Sequence, residues 1–323
     1  MRRVVASLAA VASLIALSGC GGDGAEPGAS REAALVLDFQ PNAVHSGIYA
    51  ALADGLYADR GVDLEVREPS ASTDAPKLLA AGRADFAILD IHDLAIARER
   101  GLDLVGVMPI VQRPLAAVIA GDREAIRTPT DLGGTIAGVT GLPSDDAVLD
   151  SVLEAGGVEP GSVRRVTIGF DSIAALSSGR VDSATAFWNA EGVVLRRLEV
   201  PTREFRVDDH GAPRYPELVL CVSGEALSSD GDLVRDAVRG SEGGYREALR
   251  DPDAALDALV SAVDGLDEEE QRAQLDALLE ADAFTPPGRF DEQALREWAR
   301  WDAEHGIVDQ PPRIPDTFAL PRR

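Results

Sequence analysis

The chain of 323 residues carries 55 Asp and Glu against 31 Lys and Arg, a formal net charge of −24, with 45% hydrophobic residues. This balance fits a globular protein of roughly two domains of about 150 residues each. It excludes a nucleic-acid binder, which needs a basic footprint. With only Cys20 and Cys221, a disulfide framework and a Cys-based zinc or iron–sulfur site are excluded as well.

The chain opens with Met1-Arg2-Arg3, is almost without polarity over 4–17, and reaches Ser18-Gly19. An apolar run of about 14 residues is too short to cross a bilayer, which takes about 20. Leu17-Ser18-Gly19-Cys20 resembles a bacterial lipobox. The expectation is a lipoprotein signal peptide over 1–19 and a lipid on Cys20. An ordinary secretory peptide with a chance cysteine is the other reading. Gly, Pro and small polar residues then predict a flexible tether over 20–32.

From Leu35 short apolar runs alternate with helical stretches. Strands are predicted at 35–37, 61–66, 85–89, 102–107 and 115–119. Between them come a helix capped by Asn42 and running to about Asp54, a helix opened by Thr73, and a helix over 92–100. After Gly121 the pattern repeats, with a strand at 135–139, a helix to about Glu154, a strand at 163–168 and a short helix at 173–177. Such alternation predicts an α/β protein of doubly wound lobes with mostly parallel sheets. The phrase Leu79-Ala80-Ala81-Gly82-Arg83-Ala84-Asp85-Phe86-Ala87 returns as Leu176-Ser177-Ser178-Gly179-Arg180-Val181-Asp182-Ser183-Ala184. Each copy reads as a helix end, a Gly cap and entry into a strand. Either this is coincidence in an Ala- and Gly-rich chain, or two lobes share a topology. Cys221 falls in an apolar run at 218–222 that reads as a buried strand. Residues 226–305 read as almost wholly helical and return to cover the first lobe. The expected division is 33–118 plus 216–323 as a discontinuous lobe I, and 119–215 as lobe II.

Ligands of open α/β sheets bind beyond the carboxyl ends of the strands. Those ends carry Asp38, Phe39 and Asn42, followed by His45 and Tyr49 on one helix face. They also carry Asp90 with His92, and Trp188, Asn189 and Glu191. Thr140, Gly141 and Ser144 lie at a helix start, where free N–H groups suit an anionic or polar ligand group. Structural roles compete for the same residues. Asp38 and Asn42 serve equally as turn and cap residues, His45 as a surface or core histidine, and Trp188 as core packing. Glu191 also reads as a solvated acid and Ser144 as an N-cap.

Asp38-Phe39-Gln40-Pro41-Asn42 with His45, Glu68-Pro69-Ser70, Gly82-Arg83-Ala84-Asp85 and His92 before a helix ending in Gly101 together resemble one superfamily. It holds the fungal-type thiamine-pyrimidine synthases and bacterial solute-binding proteins of ABC importers, among them binders of pyrimidine precursors and aliphatic sulfonates. The likeness spans roughly 34–200, and Phe187-Trp188-Asn189-Ala190-Glu191-Gly192 is most similar to the pyrimidine-precursor binders. It implies a type II periplasmic-binding-protein fold with two lobes closing on a ligand cleft and a helical C-terminal segment.

The resemblance implies an extracytoplasmic, lipid-anchored, monomeric receptor that works with ABC permease and ATPase subunits and needs no cofactor. Its first-choice ligand is an aminopyrimidine precursor of thiamine. Trp188, Phe39 or Tyr49 would stack on the ring. Glu191 and Asp38 would accept from the amine, Asn42 or Asn189 would complete the edge, and the turn from Thr140 to Ser144 would hold the substituent. The alternatives are an aliphatic sulfonate, which wants an Arg that none of these positions supplies, and a flavin-type precursor. An enzyme is disfavoured: the synthase lysine would fall near Ile88, Lys77 is the only lysine in the chain, and the synthase's cysteine cluster is missing. A metal receptor built on Asp38, His45, Asp90 and His92 is the weakest alternative.

Overall fold

The computed structural model of the protein describes residues 30–69, 74–121, 126–169 and 171–320. The signal segment, Cys20 and residues 21–29 of the tether lie outside the described residues, as do Ser70 and Thr73.

Among the described residues ten strands form two sheets of five. The first takes β1 (Arg31–Val36), β2 (Val62–Arg67), β3 (Phe86–Asp90), β4 (Leu104–Pro109) and, from far along the chain, β10 (Leu218–Ser223), in the order β2-β1-β3-β10-β4. The second takes β5 (Ala116–Gly121), β6 (Ile136–Val139), β7 (Arg164–Thr167), β8 (Ser183–Phe187) and β9 (Thr202–Arg206), in the order β7-β6-β8-β5-β9. The two orders correspond strand for strand. In each sheet the first three strands are parallel, and the fourth runs against them. That fourth strand, β10 or β5, is the one by which the chain enters the sheet from the other half, so its direction follows from the crossing.

The repeated phrase marks equivalent places. Gly82 and Gly179 both adopt positive φ, +64° and +68°, the left-handed turn that favours glycine after a helix. Three residues on, Asp85 accepts from the Ala34 N–H of β1 at 2.8 Å, and Asp182 accepts from the Ile136 N–H of β6 at 3.0 Å. Each carboxylate thereby ties the third strand of its sheet's order to the second.

Among the described residues twelve α-helices cover the sheets: α1 (Ser46–Ala53), α2 (Asp74–Ala80), α3 (Ile91–Glu99), α4 (Pro143–Ala155), α5 (Ser172–Ser177), α6 (Glu191–Arg197), α7 (Gly224–Ser229), α8 (Gly231–Arg250), α9 (Pro252–Ala262), α10 (Glu268–Glu280), α11 (Glu292–Glu304) and α12 (Ile314–Thr317). Helix α8 lies against α1. The approach is close because both faces are glycine: a Cβ on Gly244 would sit 1.9 Å from the Gly47 carbonyl, and one on Gly47 would strike the Tyr245 ring. Tyr245 donates from that seat to the Val44 carbonyl at 2.8 Å. The helical tail thus returns to the first sheet, but α10 also touches α6 of the second half, and Arg197 on α6 meets Asp267 at 3.4 Å.

Two element boundaries differ from the sequence reading. β1 begins at Arg31, inside the expected tether, because Arg31 and Glu32 pair with Val62 and Asp63 while the Arg31 guanidinium bonds Asp236 at 2.7 Å. A division after residue 118 falls within β5, whose whole length pairs with β8 and β9. Cys221 is buried in β10, and burial raises its thiol pKa. Among the described residues no helix is long and apolar enough to cross a membrane.

Candidate functional site

The carboxyl ends of β1, β3, β6 and β8 converge with the two crossing segments, 110–115 and 207–217, around one cavity of about 190 Å³. That is below the roughly 300–1,000 Å³ typical of sites for drug-sized ligands, so it suits a small solute.

Asp38, Phe39 and Asn42 line the cavity from the end of β1. Asn42 is also a cap: its side chain accepts from the Val44 N–H at 2.9 Å. His45 is fully buried behind them. Its Nδ1 accepts from the Asn42 N–H at 3.1 Å, which leaves Nε2 as the donor to Asp38 Oδ1 at 2.8 Å. His45 therefore orients Asp38 without itself facing the cavity. Tyr49 is buried in α1, away from the cavity wall, and burial together with Glu68 pushes its hydroxyl up to about 12.

Asp90 caps α3 by accepting from the His92 N–H at 2.7 Å, and Asp90, His92 and Asp93 all reach the cavity. His92 is held by Asp302 of α11, 2.8 Å from Nδ1, and by the Tyr215 hydroxyl, 3.2 Å from Nε2. Burial opposes charge on His92, but the carboxylates of Asp302 and Asp90 outweigh it and hold the imidazole up at about 9. Glu217, on the second crossing segment, accepts from the Leu115 N–H at 2.5 Å on the first. Burial raises its carboxyl to about 7 against those amides and a hydrogen bond with Asp90, and burial likewise lifts Asp90 and Asp93.

On the facing wall stand Thr140, Ser144, Asn189 and Glu191, with Asp145, Thr185 and Phe187 beside them. Glu191 accepts from the Phe187 N–H at 3.0 Å, and its pKa is raised by burial. The buried acceptor Asn189 Oδ1 and the hydroxyl of Ser172, both on the cavity wall, take no hydrogen bond from the protein. A buried polar atom left this way costs about 1–3 kcal/mol, which a bound solute recovers. Gly141 is not among the lining residues. Trp188 is fully buried in the core: its indole donates to the Pro114 carbonyl at 2.9 Å, and the Arg206 guanidinium lies 4.1 Å from its ring centroid. Among the described residues the phenyl rings at the cavity are those of Phe39 and Phe187.

Among the described residues six carboxylates (Asp38, Asp90, Asp93, Asp145, Glu191 and Glu217) face this space, and no Lys or Arg does. Three of the six, Asp38, Asp90 and Glu191, are legible as acids at strand ends; Asp93, Asp145 and Glu217 are not. Ile88, where the resemblance would put a Schiff-base lysine, presents an aliphatic wall. Among the described residues the group with metal-ligand proximity is Asp90, His92 and Glu217, within 4.8 Å of one another, rather than the four residues weighed from the sequence. Both His92 nitrogens are already engaged, Nδ1 by Asp302 and Nε2 by Tyr215.

Two crossed sheets of corresponding order with a polar cavity at the crossings are the periplasmic-binding-protein fold. The periplasmic aliphatic sulphonate binding protein SsuA from Escherichia coli superposes with a TM-score of 0.73 at 15% identity, over 90% of this chain and 93% of that one. The model of the NMT1/THI5-like family matches residues 42–255, and the chain belongs to that family. The formylaminopyrimidine-binding protein of Halalkalibacterium halodurans is 30% identical over 88% of each chain. The 4-amino-5-hydroxymethyl-2-methylpyrimidine phosphate synthase of Legionella pneumophila is 23% identical over 71% of this chain and 72% of its own.

Proposed function

We propose that this protein is an extracytoplasmic solute receptor of an ABC importer that binds a small aminopyrimidine, a precursor of thiamine, between two lobes. The observation that carries the ligand choice is the cavity wall, on which the described residues place six carboxylates and no cation. Such a wall accepts hydrogen bonds and repels anions, which favours an amino-substituted ring and disfavours a free sulfonate. Glu191 and Asp38 accept from the exocyclic amine, Asn189 completes the ring edge, and Phe39 and Phe187 supply the stacking first assigned to Trp188 and Tyr49. The identity to a formylaminopyrimidine-binding protein over most of both chains supports the same choice. A lipid on Cys20 would hold the receptor at the membrane beside its permease and ATPase subunits, and a monomer suffices for this role. An enzymatic reading lacks a nucleophilic amine at the cavity.

A calorimetric and thermal-shift panel tests this with 4-amino-5-hydroxymethyl-2-methylpyrimidine, its formylamino analogue, thiamine, riboflavin, taurine and Zn²⁺. One of the two pyrimidines should bind most tightly, and Glu191→Ala should weaken it about 10- to 100-fold, the worth of a hydrogen bond to a charged group. Preferential binding of taurine or Zn²⁺ would refute the ligand. Palmitate labelling that fails on Cys20 would refute the anchor.

A further inference from the structure

Helix α4 begins at Pro143 directly behind the cavity wall, and the amides of a helix start ordinarily favour an anion. In this protein a carboxylate of the chain itself stands there. Asp145, in the first turn of α4, bends back to the end of β6, where it accepts from the Thr140 N–H at 2.7 Å and from the Thr140 hydroxyl. Thr185 stands beside it on the same wall. So held, Asp145 is part of the cavity wall, and its charge is felt by Glu191 on the same wall.

Position and chemistry separate two roles for this residue. An uncharged Asn or Ser would also satisfy the Thr140 amide, so the local fold does not require a charge. A charge here acts on the cavity. Around it the wall is rich in acceptors: the orphaned Asn189 Oδ1 waits for a donor, and among the described residues no guanidinium or ammonium group lines the cavity to neutralise an incoming anion.

We propose that Asp145 is a specificity residue that closes this site to solutes carrying a phosphoryl or sulfonyl group, so that the receptor takes a hydroxymethyl-aminopyrimidine and refuses its phosphate monoester. The inference deepens the aminopyrimidine reading and rests on it for the choice of paired probes. A phosphate monoester carries −1.5 to −2 charges near neutral pH. Placed against Asp145 and Glu191 at contact range, it should bind about 100-fold more weakly than the free alcohol.

The test is calorimetric titration of the wild type, Asp145→Asn and Asp145→Glu with the hydroxymethyl-aminopyrimidine, its phosphate monoester, taurine and inorganic phosphate. Asp145→Asn keeps an acceptor for the Thr140 amide but removes the charge. It should shift the ester-to-alcohol affinity ratio at least tenfold toward the ester, and should begin to admit taurine or phosphate. Asp145→Glu keeps the charge and should keep the exclusion, which separates charge from local disorder. An unchanged ratio in Asp145→Asn, or a wild type that takes ester and alcohol alike, would overturn the inference while leaving the pyrimidine reading intact. A wild type blind to the alcohol would sink the pyrimidine reading alone. Exclusion then still stands or falls on taurine and phosphate, refused by the wild type and admitted by Asp145→Asn.

Discussion

Replacing Asp302 by Asn removes the carboxylate that holds His92, and the structure fixes both the size of the effect and its pH dependence. His92 is raised from an ordinary 6.5 to about 9. A folded-state pKa above the unfolded one means that the folded protein binds the proton more tightly. The resulting stability is fully present below pH 6.5 and is lost as pH rises through 9. The span between the two values corresponds to about 3 kcal/mol. In the Asn variant the amide oxygen still accepts from Nδ1, but burial, the largest influence on His92, is opposed only by Asp90 and the more distant Asp93. His92 should then be uncharged at neutral pH. The variant should lose about 3 kcal/mol at pH 6, in line with the 3–5 kcal/mol for breaking a buried ion pair. At roughly 2–4 °C per kcal/mol this lowers Tm by about 6–12 °C. At pH 9.5 the wild type has itself lost the imidazolium, and the two proteins should melt within a few degrees of each other. Calorimetric melts of both proteins at pH 6 and pH 9.5 decide the matter, with the His92 ring titration followed by NMR. An equal loss at both pH values would mean that Asp302 contributes packing alone, and the electrostatic reasoning would be wrong.

Further expectations concern the crossing and the core. Glu217→Gln keeps an acceptor for the Leu115 amide but cannot ionise. Since the folded-state carboxyl lies near 7, above its ordinary 4.5, the wild type should lose up to about 3 kcal/mol between pH 4.5 and 8 through this group, and the variant should show a flatter urea-denaturation profile. Trp188→Ala should cost about 3–5 kcal/mol as a fully buried ring is removed. Trp188→Phe should cost less, and the Tm gain on adding the pyrimidine should survive in it; loss of that gain at unchanged stability would restore Trp188 to the ligand site.

The order of strands and helices was legible because each strand is an apolar run bounded by turn residues, and the Gly82 and Gly179 phrases carry their own left-handed caps. Pairing was not legible. That β10 and β5 run antiparallel depends on which half the chain has just left, a long-range fact that no local pattern encodes. Within the site, Asp38, Asp90 and Glu191 were visible as acids at strand ends. Asp145 lay inside the turn quoted for its free amides, and its carboxylate proved to take the Thr140 amide itself. Glu217 directly precedes the apolar run of β10, a signal of the same kind as Asp90 before His92, and the reading passed it over because its partner amides are about 100 residues away. Trp188 misled for a physical reason. Its ring shares a strand end with true lining residues, but the indole N–H finds its acceptor at Pro114, inward rather than at the cavity.

Glu217 also joins two things that are usually separate in such a molecule. It stands on one crossing segment, fastens the amide of the other, and forms part of the cavity floor. Were one half to rotate about these segments, the axis would pass beside the cavity. Arc length grows with distance from an axis, so a small adjustment at this carboxyl becomes a larger sweep at Phe39 on the rim. A solute bound in the cavity would then sit at the fulcrum, where the least travel at the binding site would produce the greatest change in the outline offered to a docking partner.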